Sequence, residues 1–234
     1  MYNIVRKGGI RMIYTFDKKT KHYNKFFTSV IPCGNEKENN NFNCSLLNEL
    51  SYEKEDYNNM SIDEIREYIA NYYNDVLSKL DPESLIRELK YSALVSDERS
   101  DSLALRHIVS EWLSIYTDEK IVETSVDEEG NFVEIERPKF IRPMLEEIIR
   151  NSKEDMKGFK SLRALYLFEK SEELEYSANL LEEETSNNFN HLREAACYLR
   201  SEAQLVEESY NEREYEESYY ERRKYKRLKN YIKW

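Results

Sequence analysis

From Met144 to the end of the chain there is one glycine, Gly158, and no proline. Little there breaks a helix, so helices are the one regular structure this stretch is built for. Leu192, Ala196, Leu199, Ala203, Val206 and Tyr210 follow at spacings of four, three, four, three and four. That is the seam of a coiled coil, and its small members let two helices approach closely. Phe159, Leu162, Leu165, Tyr166, Leu174 and Leu181 mark an earlier helix, and a polar break near 186–188 makes it the antiparallel partner of the later one. The expectation is an all-α, coiled-coil-like helical hairpin over 144–234.

Charge is segregated along this segment. Residues 169–221 hold sixteen Glu against Lys170, Arg193, Arg200 and Arg213, whereas residues 222–234 hold seven basic residues and no acid. Glu208, Glu212 and Glu216 repeat at i,i+4 and repel weakly along one helix. Two readings are open. One is a solvated helix face with cations at the C-terminal end, where the helix dipole favours them. The other is an acidic surface for a basic protein partner or for self-association, with nucleic acid engaged only through 222–234, where Arg222, Arg223 and Lys224 stand beside Tyr225, Tyr231 and Trp234. Tyr210, Tyr215, Tyr219 and Tyr220 add an aromatic stripe suited to a partner.

The front half alternates strands and helices. Met12 to Thr15 and Phe27 to Ile31 are short β-type runs, with a polar loop at 34–45 after them. Ser61 and Glu64 have capping-box spacing ahead of Ile62, Ile65, Tyr68, Ile69, Tyr72, Tyr73, Val76, Leu77 and Leu80 at helical period. Asp81-Pro82 ends that helix and opens another carrying Leu85, Ile86 and Leu89. Tyr91 to Ser96 reads as a buried strand, followed by a polar turn and a helix with Ile108, Val109, Trp112 and Leu113. The runs 120–125 and 131–136 form a hairpin, with Gly130 at a position needing φ > 0. Pro138 and Pro143 mark a boundary. The fold class is therefore α/β, a small three-layer-like domain over 12–140, followed by the helical segment.

The formal net charge of −11 argues against nucleic-acid binding by the surface as a whole. No run of about 18 apolar residues exists to cross a membrane. Cys33, Cys44 and Cys197 show no metal-ligand spacing and cannot all pair, so a reducing cytoplasm without metal or cofactor is expected. Lys-Gly-Gly-Ile-Arg-Met at 7–12 back-translates, in an A-rich coding style, to a string containing AAAGGAGG a short spacer before ATG. That is a bacterial ribosome-binding sequence. Two readings are open here too: a start at Met12, with 1–11 a mis-annotated leader that is not translated, or a short N-terminal arm. The abundance of Asn, Lys, Tyr, Ile and Glu fits an AT-rich bacterial or phage genome.

Chemistry-bearing residues gather at Ser96-Asp97-Glu98 and at Ala104-Leu105-Arg106-His107, where a strand ends and a helix begins. In open α/β sheets ligands bind outside the carboxyl ends of strands, and helix N-termini attract anions. Glu98, Arg106 and His107 supply an acid, an anion clamp and a proton carrier, with Ser96 and Thr15 as further ligand-binding candidates. The alternative is structural, with Arg106 in an ion pair, His107 packed and hydrogen-bonded, and Trp112 in the core. His22, among Lys18, Lys19, Lys21 and Lys25, marks a solvated loop or a phosphate site. His191 and Cys197 are too poorly spaced to hold a metal.

This stretch resembles the domain-of-unknown-function 488 family. Its members have a strand ending Leu-Leu-Cys-x-Glu, then Cys-His-Arg-His, then an apolar helix with Trp. Without a gap, Ser96 stands at the first cysteine, Glu98 at the acid, and Ala104 and Leu105 at the second Cys and the His. Arg106, His107, Glu111 and Trp112 match. Residues 74–83 resemble the family's helix–Asp-Pro–helix passage, and Met12-Ile13-Tyr14-Thr15 its opening strand. The resemblance covers about 12–115 and implies a small α/β domain. Both cysteines and the first histidine are replaced, and neither Ala nor Leu supplies a thiolate or a metal ligand. The expected function is thus a non-enzymatic interaction protein on a degenerate domain of phage or mobile-element origin, binding a basic macromolecule. The alternative is an enzyme or sensor for a phosphorylated or nucleotide-like ligand at Glu98, Arg106 and His107.

Overall fold

The computed structural model describes residues 12–17, 29–32, 60–89, 92–96, 103–127, 131–185 and 187–231. Residues 1–11, the segment around His22, the stretch 34–45, Glu98 and Gly130 lie outside these. The chain divides into two compact units, Met1–Ser152 and Lys153–Trp234.

The first unit is built on a five-stranded sheet. Its strands are β1 (Met12–Asp17), β2 (Ser29–Pro32), β3 (Ser92–Ser96), β4 (Lys120–Val126) and β5 (Phe132–Ile135), in the order β2-β3-β1-β4-β5. The first four in that order are parallel and β5 runs antiparallel to β4. The β4–β5 pair is the expected hairpin. The Asp127 backbone N–H donates to the Asn131 carbonyl at 3.0 Å, and the Asn131 N–H to Asp127 Oδ1 at 2.8 Å.

Helix α1 (Ile62–Asp75) opens as its capping box dictates. The Glu64 N–H donates to Ser61 Oγ at 3.3 Å and the Ser61 N–H to Glu64 Oε2 at 2.6 Å. It closes five residues before Leu80, where the apolar period had carried it. Val76 leaves helical geometry at φ −121°, Ser78 donates its hydroxyl back to the Asn74 carbonyl, and a 3₁₀ turn at Leu77–Lys79 follows. Such side-chain bonds to the backbone compete with the helix ladder. Helix α2 (Pro82–Glu88) has Asp81 as its N-cap, accepting from the Ser84 N–H at 3.0 Å, and Pro82 in its first turn.

Helix α3 (Leu105–Tyr116) lies across β3, β1 and β4 and is covered in turn by α2 and by α4 (Ile141–Ser152). The connections β2→β3 and β3→β4 step the same way along the sheet, and parallel crossovers of the usual right hand that do so place their helices on one face. Helix α1 in turn packs against α4, with Tyr68, Ile69, Tyr72 and Tyr73 buried. Leu105, Ile108, Val109 and Leu113 are fully buried, and Trp112 packs edge-on against Tyr116 with ring centroids 5.9 Å apart. Ile141, Leu145 and Ile149, at i, i+4 and i+8, are buried too. That apolar stripe belongs to a helix packed on α3 and α1, and the first unit closes at Ser152, beyond the two prolines that suggested a boundary near 140–144.

The second unit is the helical hairpin, α5 (Leu162–Thr185) and α6 (Asn190–Tyr231). Gly158, at φ +83°, takes the left-handed conformation in the turn ahead of α5. Arg193 Nη2 bonds Glu182 Oε2 and Arg200 Nη2 bonds Glu175 Oε2, each at 2.7 Å. These two pairs, seven residues apart on both helices, set an antiparallel register that places Ser171 and Ala178 opposite Ala203 and Ala196. All four are buried, as a seam of small residues requires. Glu207 accepts the Lys160 and Ser161 backbone N–H groups, each at 2.9 Å, so α6 caps the N-terminus of α5. Among the described residues no helix is long and apolar enough to cross a membrane.

Candidate functional site

The polar groups singled out in the sequence lead to the middle of the first unit. Helix α3 is apolar on nearly every side, so it is buried all round. Its charged and polar residues Arg106, His107, Ser110 and Glu111 go inside with it. The described partner of Arg106 is Glu123 on β4. Arg106 Nε and Nη2 both donate to Glu123 Oε1, at 3.1 and 2.8 Å, and His107 Nε2 lies 3.2 Å from the same oxygen. Thr15, paired with Glu123 across the β1–β4 ladder, donates its hydroxyl to Oε2. The side chains of Arg106, His107 and Glu123 are all 0% exposed.

The electrostatics follow from that closure. Burial pushes the His107 imidazole below its ordinary range, outweighing the hydrogen bond to Glu123 that favours the cation. Burial acts to raise the Glu123 carboxyl, but the hydrogen bond from His107 and the Arg106 charge outweigh it and hold the group at about 2. At neutral pH the cluster is Arg106 cation, Glu123 anion, neutral His107 and Thr15 hydroxyl. Within it the Arg106 and Glu123 charges oppose one another and the Arg106 and Thr15 donors face Glu123 oxygens, which lowers the cost of burying such groups.

Both depressed values act in one direction. An unfolded chain takes up a proton at His107 near pH 6.5 and at Glu123 near 4.5, while the folded chain resists both. Stability is therefore full above about pH 6.5, falls as the pH drops through the histidine range, and falls again from about 4.5 toward 2. Urea midpoints taken across this range are expected to show both steps. His107→Gln should remove the upper step, and an unchanged profile in that variant would contradict the assignment.

The sequence-derived candidates are placed as follows. Thr15, Arg106 and His107 come together. Ser96 ends β3, paired through the backbone with Asp17, and Glu98 lies outside the described residues. His191 and Cys197 are exposed on α6, and among the described residues no group of His, Cys, Asp and Glu is arranged to hold a metal. Glu123, which closes the cluster, was missed. The signal was present: a glutamate within the apolar-flanked strand Ile121-Val122-Glu123, and an arginine on a helix with no polar face.

A second polar group lies beside the first. Arg137 Nε donates to Glu111 Oε1 at 2.8 Å and Nη1 to the Ile121 carbonyl at 3.0 Å. These residues help line an open cleft of about 660 Å³ between β4, β5 and the start of α4. Its other cations are also matched. Lys139 bonds Glu136 at 2.8 Å and Arg142 bonds Glu146 at 2.9 Å. The cleft thus offers charge already neutralised by neighbouring carboxylates.

Sheet, buried helix and internally compensated cluster define a mixed α/β domain stiffened by a polar core, joined to a charged helical hairpin. In comparison with known proteins, the chain matches no family model, no curated protein and no solved structure.

Proposed function

We propose that this chain is a non-enzymatic interaction protein whose helical hairpin engages a basic macromolecular partner, carried on an α/β domain that resembles a degenerate member of the domain-of-unknown-function 488 family. The observation that supports this reading is the surface of the hairpin. Glu183, Glu184, Glu194, Glu208, Glu212, Glu216 and Glu217 are all exposed, and none forms an ion pair with another described residue. By contrast, Glu175, Glu182 and Glu207 are committed to the hairpin itself. An array of like charges with no ion pair among the described residues, two of them on α5 and five on α6, lowers the stability of the free protein and is relieved by cations from elsewhere.

The front domain supports the same reading from the other side. Arg106 and His107 have no solvent exposure and are engaged with Glu123, whereas an anion clamp and a proton carrier must reach their ligand. Cys197 is a free, exposed thiol, in keeping with a reducing cytoplasm. The AT-rich coding style favours a phage or mobile-element setting, in which inhibition of a nucleic-acid-handling host enzyme is one concrete role.

The test is capture from a host lysate at low salt, in parallel with a variant carrying Glu183→Gln, Glu184→Gln and Glu194→Gln in the hairpin. A basic protein is expected on the wild-type chain, released as salt rises and held poorly by the variant. Equal capture by both chains, or capture of nothing, would sink the proposal.

A further inference from the structure

Helix α6 outruns its partner. Lys160, just ahead of α5, bonds Glu214 Oε2 at 2.8 Å, whereas α6 continues to Tyr231. The last 17 residues of α6 therefore extend about 25 Å beyond the start of α5, at 1.5 Å per residue. Residues 211–217, at the root of this extension, are all exposed.

A second heptad stripe, out of phase with the small-residue seam, runs through the sequence of α6. Tyr198, Ser201, Leu205, Glu208, Glu212, Tyr215, Tyr219, Arg222, Lys226 and Lys229 follow at alternating spacings of three and four. Tyr198, Leu205 and Tyr215 on it are 69%, 59% and 72% exposed, a long way from core values for side chains of that size. Glu208 and Glu212 between them are exposed and form no ion pair with another described residue.

From Glu208 to Lys226 the order of residues in this stripe is its own complement when reversed. Laid antiparallel on a second copy about a two-fold axis near residue 217, Tyr215 meets the other copy's Tyr219. Glu212 meets Arg222 and Glu208 meets Lys226. Each match occurs twice, as a two-fold interface requires. A parallel arrangement would instead set acid on acid and base on base.

We infer that α6 is a homodimerisation helix, pairing antiparallel with a second copy of this chain through Glu208, Glu212, Tyr215, Tyr219, Arg222 and Lys226. This rests on the reading of the hairpin as an interaction arm and names the partner of its distal half. A tyrosine pair sits at the centre of the interface, where aromatic anchors contribute most. The flanking charge pairs set the register and make association salt-sensitive.

The experiment is sedimentation of the full-length chain, of Glu212→Arg and of Arg222→Glu, with circular dichroism confirming that each variant folds. The wild type is expected to dimerise at low ionic strength and to dissociate at high salt. Each single variant places like charges opposite one another twice and should be monomeric. Mixed one to one, the two variants restore an opposite charge at both contacts, so a heterodimer should return with at least a tenfold gain in affinity over either variant alone. A monomeric wild type, single variants that dimerise undiminished, or a mixture that stays monomeric would each overturn the pairing. A monomer that instead binds a single-stranded oligonucleotide, and loses it on Arg222→Glu, would assign the basic end to nucleic acid. None of these outcomes alters the lysate capture by Glu183, Glu184 and Glu194, so the two proposals fail separately.

Discussion

Glu123→Gln is expected to destabilise the first unit by about 3–5 kcal/mol, a large share of the 5–15 kcal/mol that holds a typical domain folded. The amide has one oxygen where the carboxylate had two, so it cannot serve both Thr15 at Oε2 and Arg106 at Oε1, and it removes the negative charge that the Arg106 Nε and Nη2 groups face. Arg106→Met alone should cost a similar amount, because it strands the carboxylate. Combining the two removes both charges, and most of the loss should return, since a buried ion pair replaced by neutral groups of similar size is often close to neutral in stability. Urea unfolding in a Trp234→Phe background, where fluorescence reports Trp112 alone, gives the four corners of this cycle. A Glu123→Gln midpoint equal to wild type would show that the cluster is not what holds α3 to the sheet.

Ala203→Leu and Ala178→Leu are expected to destabilise the hairpin by about 1–3 kcal/mol each, through overpacking. Both alanines are completely buried, and the register sets each opposite another small residue on the facing helix. A larger side chain must push the helices apart, and with them the Arg193–Glu182 and Arg200–Glu175 pairs that depend on the close approach. Ala195→Leu, on an exposed position of α6, serves as the control and should stay within about 0.5 kcal/mol of wild type. The loss of helical circular dichroism on heating separates these outcomes. A melting curve for Ala203→Leu that overlays the control would mean that the seam has slack.

Local chemistry was well written in the sequence. Ser61 with Glu64, and Asp81 with Pro82, specify helix starts through bonds that span three residues, and both appear in the structure. The seam from Leu192 to Tyr210 carried enough period to identify the hairpin and its polar turn. What escaped was long-range. Thr15 and Glu123 are 108 residues apart, and they meet because β1 lies between β3 and β4, an order that no local pattern encodes. The end of α1 also escaped, since the apolar period through Leu77 and Leu80 continues across a backbone that has already left the helix. The placement of α4 turned on the same blind spot. Two prolines looked like a boundary, whereas the apolar stripe at Ile141, Leu145 and Ile149 had a surface waiting for it on the first unit.

The burial of α3 on both sides has a consequence for how the first unit comes apart. A surface helix can detach and leave its domain standing; α3 is floored by the sheet and roofed by α2 and α4. Releasing it requires both contacts to be broken together, with the added electrostatic cost of parting Arg106 from Glu123. Its amide hydrogens should therefore trade with deuterium only when the whole unit opens, at the slowest rate in the chain. The α/β unit is then expected to open as one indivisible block, with no partly detached form on the way.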